Sequence, residues 1–252
     1  MSFSILALEL KRVNLYSLEN AIREINSKIH SYEPEILILP EKWLIDKSNQ
    51  EQTLEMLKGI SLEKIPIAVP GSFSVLEGDS LFNRSLIFNY GKLVGFQDKI
   101  IPYRTERRQY HPGNKIKIFN LEGIRISVPI CYDIDFPFYG KLSALNKVDL
   151  MINPSLIRTD FKVEWHYYVI ARSLENRIPV ISVNSSSSEF GGGSIFVHPY
   201  KYNIGAKVRT VESSDGYVFS KLILEDFTDL RDVRVREDPG IYNAQGIEVI
   251  NI

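Results

Sequence analysis

The sequence predicts an α/β fold: a sandwich of mixed β-sheets that is covered by helices and built as one domain. Three observations support this prediction. Short apolar segments rich in β-branched residues alternate with segments of helical periodicity. Turn signals also join neighbouring strands into hairpins. No linker-like tract, internal repeat or low-complexity region divides the 252 residues.

The N-terminal half is predicted to contain five strands and two helices. Residues 4–10 form the first strand, and Ser17 is the expected cap of a helix with apolar residues at Leu18, Ile22, Ile25 and Ile29. The following elements are a buried strand at 35–39, a helix at 53–60, and strands at 66–75, 80–90 and 93–96. Residues 98–114 are rich in charged and aromatic side chains and read as irregular.

The C-terminal half begins with an apolar run that ends at Cys131 and predicts a buried strand. Apolar residues at helical spacing predict a helix over 136–148. The remaining elements are a strand at 148–153, a helix at 162–177, strands at 180–184 and 194–197, and a hairpin that pairs 207–210 with 217–224. Pro179 ends the second of these helices, and residues 214–216 form the hairpin turn.

Composition favours an ordinary globular protein, since 44% of the residues are hydrophobic and 24% are charged. A single cysteine excludes an internal disulfide, and a formal net charge of −1 provides no general attraction to nucleic acid. The first residues lack the pattern of a signal peptide, and no apolar stretch is long enough to cross a membrane. We therefore expect a cytoplasmic protein that acts on a small molecule, with no nucleic-acid or membrane partner.

Cys131 is the candidate nucleophile. The thiol is expected where a strand gives way to a helix, and backbone N–H groups at such a junction favour an anion. This environment would lower the pKa of the thiol and activate it. The alternative is that Cys131 is a small buried hydrophobic residue, which is the usual role of a free cysteine.

Three other residues could complete a thiol-based active site. Glu41 follows a buried strand and Pro40, Lys99 ends an apolar strand, and Glu106 precedes a Pro-Gly turn. A cysteine hydrolase needs a base for the thiol, a stabilising group for the oxyanion and an acid for the leaving group. Taken singly, each residue has a simpler role: a solvated or capping glutamate, an exposed lysine, and a glutamate paired with a neighbouring arginine.

The order and local context of these residues are more specific than any one of them. The motifs are Pro40-Glu41 after an apolar strand, Lys99 followed by Pro102, Glu106 and Pro112-Gly113, then Ile130-Cys131-Tyr132-Asp133, and finally Ala171-Arg172-Ser173-Leu174-Glu175-Asn176. In this order they resemble the nitrilase superfamily of carbon–nitrogen hydrolases. The resemblance extends from the first strand to about Tyr200.

The resemblance implies a four-layer α-β-β-α sandwich of two mixed sheets and a catalytic triad of Glu41, Lys99 and Cys131. It also implies that Glu106 is a second active-site glutamate, that no metal or other cofactor is needed, and that the chain forms a homodimer or a higher homo-oligomer. The expected reaction is hydrolysis of a small linear amide to an acid and ammonia through a cysteine thioester.

Other functions stay open at this point. Within the superfamily they are hydrolysis of a nitrile or an N-carbamoyl compound, and amide transfer. An inactive binding scaffold with the same fold is a further alternative, as is a Cys–His enzyme that uses His111 or His166. The C-terminal segment 226–252 is interpreted as a tail that contacts a neighbouring subunit.

Residues beside the motifs are candidates for substrate binding. Four of them, Tyr132, Tyr103, Trp43 and Ser155, could line a pocket. After the Cys-Tyr-Asp motif, Asp135 and Phe138 replace an arginine and a glutamate that are common in relatives. We expect Asp135 to pair with an arginine such as Arg107; the alternative is that it selects a cationic group of the substrate.

Overall fold

The computed structural model describes residues 1–187 and 189–240, which contain fourteen strands and five α-helices. The strands are β1 (Ser2–Leu8), β2 (Ile36–Ile38), β3 (Lys47–Asn49), β4 (Ile67–Val69), β5 (Ser72–Glu77), β6 (Ser80–Asn89), β7 (Lys92–Asp98), β8 (Ile118–Leu121), β9 (Ile124–Ser127), β10 (Leu150–Ser155), β11 (Val180–Asn184), β12 (Ile195–Tyr202), β13 (Gly205–Glu212) and β14 (Tyr217–Ile223). The helices are α1 (Leu18–Tyr32), α2 (Gln50–Leu57), α3 (Pro137–Leu145), α4 (Lys162–Asn176) and α5 (Thr228–Arg236).

The strands form two mixed sheets. One sheet has eight strands in the order β14-β1-β2-β4-β6-β5-β3, with β7 paired to β6. The other has six strands in the order β13-β12-β11-β10-β9-β8. In each sheet a central set of strands is parallel, namely β1–β2–β4 and β9–β10–β11. The strands outside these sets pair antiparallel, except that the edge strand β3 is parallel to β5.

Alternating side chains place the two sheets face to face. In β1, Ile5 belongs to an apolar cluster that both sheets share. Leu6 points to the opposite face and belongs to the cluster that the first sheet forms with α1. In the second sheet, Ile152 enters the shared cluster, and Met151 joins Trp165 of α4 in a third cluster. This arrangement, helix–sheet–sheet–helix, confirms the predicted four-layer sandwich.

Several predicted boundaries differ from the structure for local reasons. The predicted strand at 66–75 is two strands, because the chain turns at Gly71, where φ is +90° and a Cβ would lie 2.1 Å from the Pro40 carbonyl oxygen. Helix α2 begins at Gln50, because Asn49 and Gln52 form a capping box. Ser17 occupies the predicted N-cap position of α1, but its side chain makes no capping hydrogen bond.

The predicted hairpin between 207–210 and 217–224 is wrong. Strand β13 pairs with β12, and β14 pairs with β1 in the other sheet. The chain therefore crosses from one sheet to the other after β13. The reason is burial: Val218 and Leu222 of β14 lie in the cluster between the sheets, where they contact the face that β1 presents. Residue alternation indicates that a strand exists but does not identify its partner.

Part of the C-terminal segment packs against the body of the same chain. Helix α5 carries Arg231, whose side chain is 6% exposed and whose Nη1 donates to Asp149 Oδ1 (2.6 Å) and to the Val148 carbonyl (3.0 Å). These contacts bind α5 to the segment that leads into β10. Residues 241–252 lie outside the described part of the chain, so their predicted contact with another subunit stays a prediction. In the described ranges, no helix combines the length and the apolar character needed to span a membrane.

Replacing Arg231 by alanine should lower the free energy of unfolding by about 1–3 kcal/mol, because the partly buried carboxylate of Asp149 would lose its charged partner. Urea denaturation of the variant and the wild type measures this difference. Arg234→Ala on the same helix, at an exposed position, is the matched control and should change the free energy much less. Equal losses in the two variants would contradict the role given to Arg231.

Candidate active site

A cavity of about 440 Å³ lies where loops from both sheets meet. Its lining includes Glu41, Lys99, Glu106 and Cys131, which are distant in sequence. Glu41 lies in the loop after β2 of one sheet, and Cys131 lies in the loop after β9 of the other sheet. Lys99 directly follows β7. The structure therefore brings together all four residues that the sequence predicted for catalysis.

Glu41 is 1% exposed and is held from several directions. Its backbone N–H donates to the Ser155 carbonyl (3.3 Å), which joins the first sheet to the second. Its Oε1 accepts hydrogen bonds from Lys99 Nζ (2.9 Å) and Asn83 Nδ2 (2.6 Å). The carboxylate is thus fixed in position and removed from solvent, as a base that acts on a neighbouring thiol requires.

Lys99 is 2% exposed and lies between two carboxylates. Its Nζ donates to Glu41 Oε1 (2.9 Å) and to Glu106 Oε2 (2.8 Å). Burial alone lowers the pKa of Lys99, but the negative charges of Glu41 and Glu106 and the hydrogen bond to Glu106 outweigh it and raise the pKa well above its ordinary value. Lys99 is therefore an ammonium ion at neutral pH.

Glu106 connects two lysines. Its Oε1 accepts a hydrogen bond from Lys42, its Oε2 accepts from Lys99, and the backbone N–H of Tyr103 also donates to Oε2 (2.9 Å). Burial raises the pKa of Glu106, but the two lysines outweigh it and lower the pKa to about 2. The simpler role considered for Glu106, an ion pair with an adjacent arginine, is absent, and Arg107 donates to the Pro102 carbonyl instead.

Lys42 and Asn83 are site residues that the sequence did not identify. Lys42 has a φ of +45°, a left-handed conformation that turns its side chain toward the cavity beside its neighbour Glu41. Asn83 donates to Glu41, and its carbonyl accepts from the Lys99 N–H (2.8 Å). The adjacency of Lys42 to Glu41 was a usable signal; nothing local indicated the role of Asn83, which lies within β6.

Cys131 is 7% exposed and begins a short 3-10 helix, Cys131–Asp135, with a φ of +47°. Its sulfur contacts the Glu41 carboxyl group and the backbone N–H of Leu156. Burial raises the pKa of the thiol well above its ordinary value and Glu41 raises it further, while Lys99 acts in the opposite direction. The predicted lowering of this pKa is therefore wrong: the thiol is neutral at rest and hydrogen-bonded to a carboxylate.

Asp133 connects the 3-10 helix of Cys131 to the segment that follows Lys99. Its completely buried carboxyl group accepts from the backbone N–H groups of Ile130 (3.0 Å), Ile100 (3.2 Å) and Ile101 (2.8 Å). Two of these donors directly follow Lys99, and Asp133 comes two residues after Cys131. The side chain therefore sets the distance between the loop after β7 and the helix of the nucleophile.

Two of the four predicted substrate-binding residues line the cavity. The rings of Tyr103 and Tyr132 meet edge to face, with centroids 4.9 Å apart. Trp43 does not line it: the ring is completely buried between helices and sheet, and Nε1 donates to the Pro70 carbonyl (2.8 Å). Ser155 is also buried, and its hydroxyl donates to Asn153 Oδ1 (2.7 Å), so only its backbone contributes to the site.

Arg172 of α4 supports the 3-10 helix that begins at Cys131. Its guanidinium group donates to the carbonyls of Ile134 (2.8 Å) and Asp135 (3.0 Å), where the 3-10 helix ends. Asp135 itself lines the cavity and forms no ion pair with Arg107, so that predicted pairing is wrong. The Arg107 side chain instead donates a hydrogen bond from Nε to the Pro102 carbonyl (3.2 Å).

His111 and His166 lie outside the cavity lining. His166 Nε2 is 2.7 Å from the Gly193 carbonyl oxygen, and the His111 ring packs near Phe82. Neither contacts Cys131, so no Cys–His pair forms. Over residues 1–187 and 189–240, no group of three His, Cys, Asp or Glu side chains is arranged to hold a metal ion.

Known proteins resemble this chain in sequence. It is 27% identical over 146 residues to a probable nitrilase of Schizosaccharomyces pombe, a match that covers 56% of this chain and 52% of that protein. It is 28% identical over 174 residues to an omega-amidase of Saccharomyces cerevisiae, which covers 62% and 60%, respectively. The matched region thus spans about half to three fifths of the length of these relatives.

A solved structure and a family model also match this chain. The crystal structure of Nit3 from Saccharomyces cerevisiae, a member of branch 10 of the nitrilase superfamily, superposes with a TM-score of 0.78 at 22% identity, over 97% of this chain and 96% of that one. The family model for carbon–nitrogen hydrolases matches residues 10–204. On this match, and with the predicted sandwich confirmed, the chain belongs to the carbon–nitrogen hydrolase family.

Proposed function

We propose that this chain is a cysteine-dependent amidase that hydrolyses a small linear amide to an acid and ammonia through a thioester on Cys131. The observation that supports it most strongly is the contact between a neutral thiol and a buried carboxylate, beside a buried ammonium, at a cavity of about 440 Å³. The similarity to an omega-amidase agrees with an amide substrate.

The first step forms the thioester. Glu41 removes the thiol proton while the sulfur attacks the carbonyl carbon of the amide. The carbonyl oxygen becomes an oxyanion, and Lys99 stabilises it together with the backbone N–H of Tyr132. Tyr132 lies in the first turn of the 3-10 helix, where N–H groups have no acceptor within the helix. Protonated Glu41 then transfers its proton to the nitrogen, and the C–N bond breaks as ammonia leaves.

The second step releases the acid. A water molecule takes the place of ammonia and loses a proton to Glu41 as its oxygen attacks the thioester carbon. The same donors, Lys99 and the Tyr132 N–H, stabilise the second oxyanion. The C–S bond breaks, the sulfur recovers its proton from Glu41, and the neutral thiol of the resting state is restored.

Glu106 and Lys42 hold Lys99 in place in this mechanism. Glu106 accepts from both lysines, so Lys42 neutralises a charge that would otherwise compete with the oxyanion for Lys99. The charges of Glu41, Glu106, Lys42 and Lys99 then sum to zero. A cluster without net charge around the oxyanion position accepts a developing oxyanion at a lower electrostatic cost than an anionic cluster.

Other reactions of the family are distinguished by a substrate panel. Ammonia release from linear amides, nitriles and N-carbamoyl compounds is measured under the same conditions, and transfer to hydroxylamine reports amide transfer. Preference for amides supports the proposal. An inactive scaffold would release no ammonia from any member of the panel.

Cys131→Ala should reduce hydrolysis to the background level, because no other group can form the thioester. Ammonia release measures activity, and circular dichroism with thermal melting checks that the fold is intact. Appreciable hydrolysis by a correctly folded Cys131→Ala variant would refute the assignment of the nucleophile.

Glu41→Gln should lower kcat/KM by about 10²–10⁴-fold, since a positioned general base contributes that much and the amide has a similar shape but cannot accept the proton. Steady-state hydrolysis of the best amide measures the effect. Glu63→Gln, at an exposed position outside the cavity, is the matched control and should resemble the wild type. A loss of less than tenfold in the Glu41 variant would exclude it as the base.

The low pKa of Glu106 predicts a pH dependence of stability. Its pKa falls from 4.5 in the unfolded chain to about 2 in the folded one, so its ionised form stabilises the fold above pH 4.5. This contribution, about 3 kcal/mol, is lost as the pH falls from 4.5 to 2. Urea denaturation at pH 7 and pH 3 should show a smaller pH effect for Glu106→Gln than for the wild type; equal pH effects would show that Glu106 is not held in this way.

A further inference from the structure

Asp135 is a charged residue of the cavity that the proposed mechanism does not use. It ends the same 3-10 helix that Cys131 begins, and both residues line the cavity. At a rise of about 2 Å per residue, their Cα atoms are separated by about 8 Å. The Oδ1 atom of Asp135 is buried and has no hydrogen-bond partner among the residues that the structure describes.

The cations nearest to Asp135 are engaged elsewhere. Lys99 is paired with Glu41 and Glu106. Arg172 donates to backbone carbonyls and to the carboxylate of Glu175 (2.5 Å). In residues 1–187 and 189–240 no salt bridge reaches Asp135, so the protein leaves this carboxylate without a cationic partner.

Carboxylates outnumber cations among the charged residues that line the cavity. The described lining contains five carboxylates and three cations, a formal net charge of −2. Each cation has a carboxylate partner: Lys42 pairs with Glu106, Lys99 pairs with Glu41 and Glu106, and Arg158 pairs with Asp160 and Glu189. The described lining therefore has no cation without a carboxylate partner, whereas two of its carboxylates, Asp135 and Glu164, have no salt bridge; of these, Glu164 is exposed to solvent and Asp135 is partly buried.

The remaining walls also favour a cation. Six aromatic side chains line the cavity: Tyr103, Tyr132, Phe161, Trp165, Tyr168 and Phe190. The faces of aromatic rings attract ammonium groups, by about 0.5–2 kcal/mol in measured cases. A second carboxylate on the substrate, in contrast, would meet these faces and Asp135, and each cation of the described lining is already paired with a carboxylate.

We infer that Asp135 binds a cationic group of the substrate, so that the preferred substrate is a linear amide with a protonated amine at its other end. This inference rests on the proposed amidase function and specifies its substrate class. Burial raises the pKa of Asp135 to about 6, against the opposing effects of Arg172 and Lys99. Burial therefore makes the ionised form of this carboxylate less stable than it is in water, and an ammonium group beside it would offset that cost.

Three amides of similar length test the inference. 5-Aminopentanamide carries the cation, hexanamide is its neutral isostere, and glutaramate carries a carboxylate at the same end. The wild type should hydrolyse 5-aminopentanamide with a kcat/KM at least about tenfold above that for hexanamide, and glutaramate should be the poorest substrate. This ratio is the effect expected of one hydrogen-bonded charge pair. A wild type without preference for the cationic amide overturns the inference.

Variants assign the preference to Asp135. Asp135→Asn should lower the ratio of kcat/KM for 5-aminopentanamide over hexanamide about tenfold, whereas Asp135→Glu, which keeps the charge, should retain most of it. Asp79→Asn is the matched control, since Asp79 is exposed in the turn between β5 and β6 and lies outside the cavity lining. An unchanged ratio in Asp135→Asn overturns the assignment to this residue.

Failure of the amidase proposal is recognised separately. If the wild type hydrolyses none of the three amides, the proposed function fails, and calorimetry then measures their binding to the same protein. Tighter binding of 5-aminopentanamide than of hexanamide, lost in Asp135→Asn, supports the cation site even without hydrolysis. Equal binding of the three amides overturns it.

Discussion

The buried ammonium group of Lys99 is the interaction on which the candidate active site depends. An ion removed from water costs several kcal/mol unless it is paired and hydrogen-bonded, and Lys99 meets this requirement through Glu41 and Glu106. The three residues come from the loop after β2, the end of β7 and a 3-10 helix at Arg104–Arg108. None of these segments can move far without leaving a buried charge unpaired, so the electrostatics of the site also hold its loops together.

The same electrostatics explain the state of the thiol. A thiolate at Cys131 would be a further buried anion close to Glu41, and burial by itself already disfavours it. The neutral thiol avoids this cost and places its proton beside the carboxylate that is suited to remove it. A Cys131 thiolate and a Glu41 carboxylate then need not coexist. Under the proposed mechanism, the thiol proton moves to Glu41 while negative charge passes from the sulfur to the substrate oxygen, near Lys99.

The two-sheet scaffold supplies the precision that this chemistry needs. Parallel strands from both sheets end at the cavity, and the hydrogen bond from the Glu41 N–H to the Ser155 carbonyl links the sheets there. Asp133 connects the loop of Lys99 to the helix of the nucleophile through three backbone N–H groups. Arg172 binds the end of that helix to α4. The groups that react in the proposed mechanism are therefore held in position by residues that do not take part in it.

Local sequence alone predicted most of the strands, four of the five described α-helices and a mixed-sheet sandwich, since apolar periodicity and turn signals are properties of neighbouring residues; β3, β8 and α5 were missed. Glu41, Lys99, Glu106 and Cys131 became candidates through the order of short motifs that resembles the nitrilase superfamily, because each residue taken singly had a simpler role. Tertiary structure decided what depends on distant partners: that β14 pairs with β1, that Trp43 is buried, that Lys42 shares Glu106 with Lys99, and that the pKa of the thiol rises. Burial and charge pairing arise between segments far apart in the chain, and no local pattern specifies them.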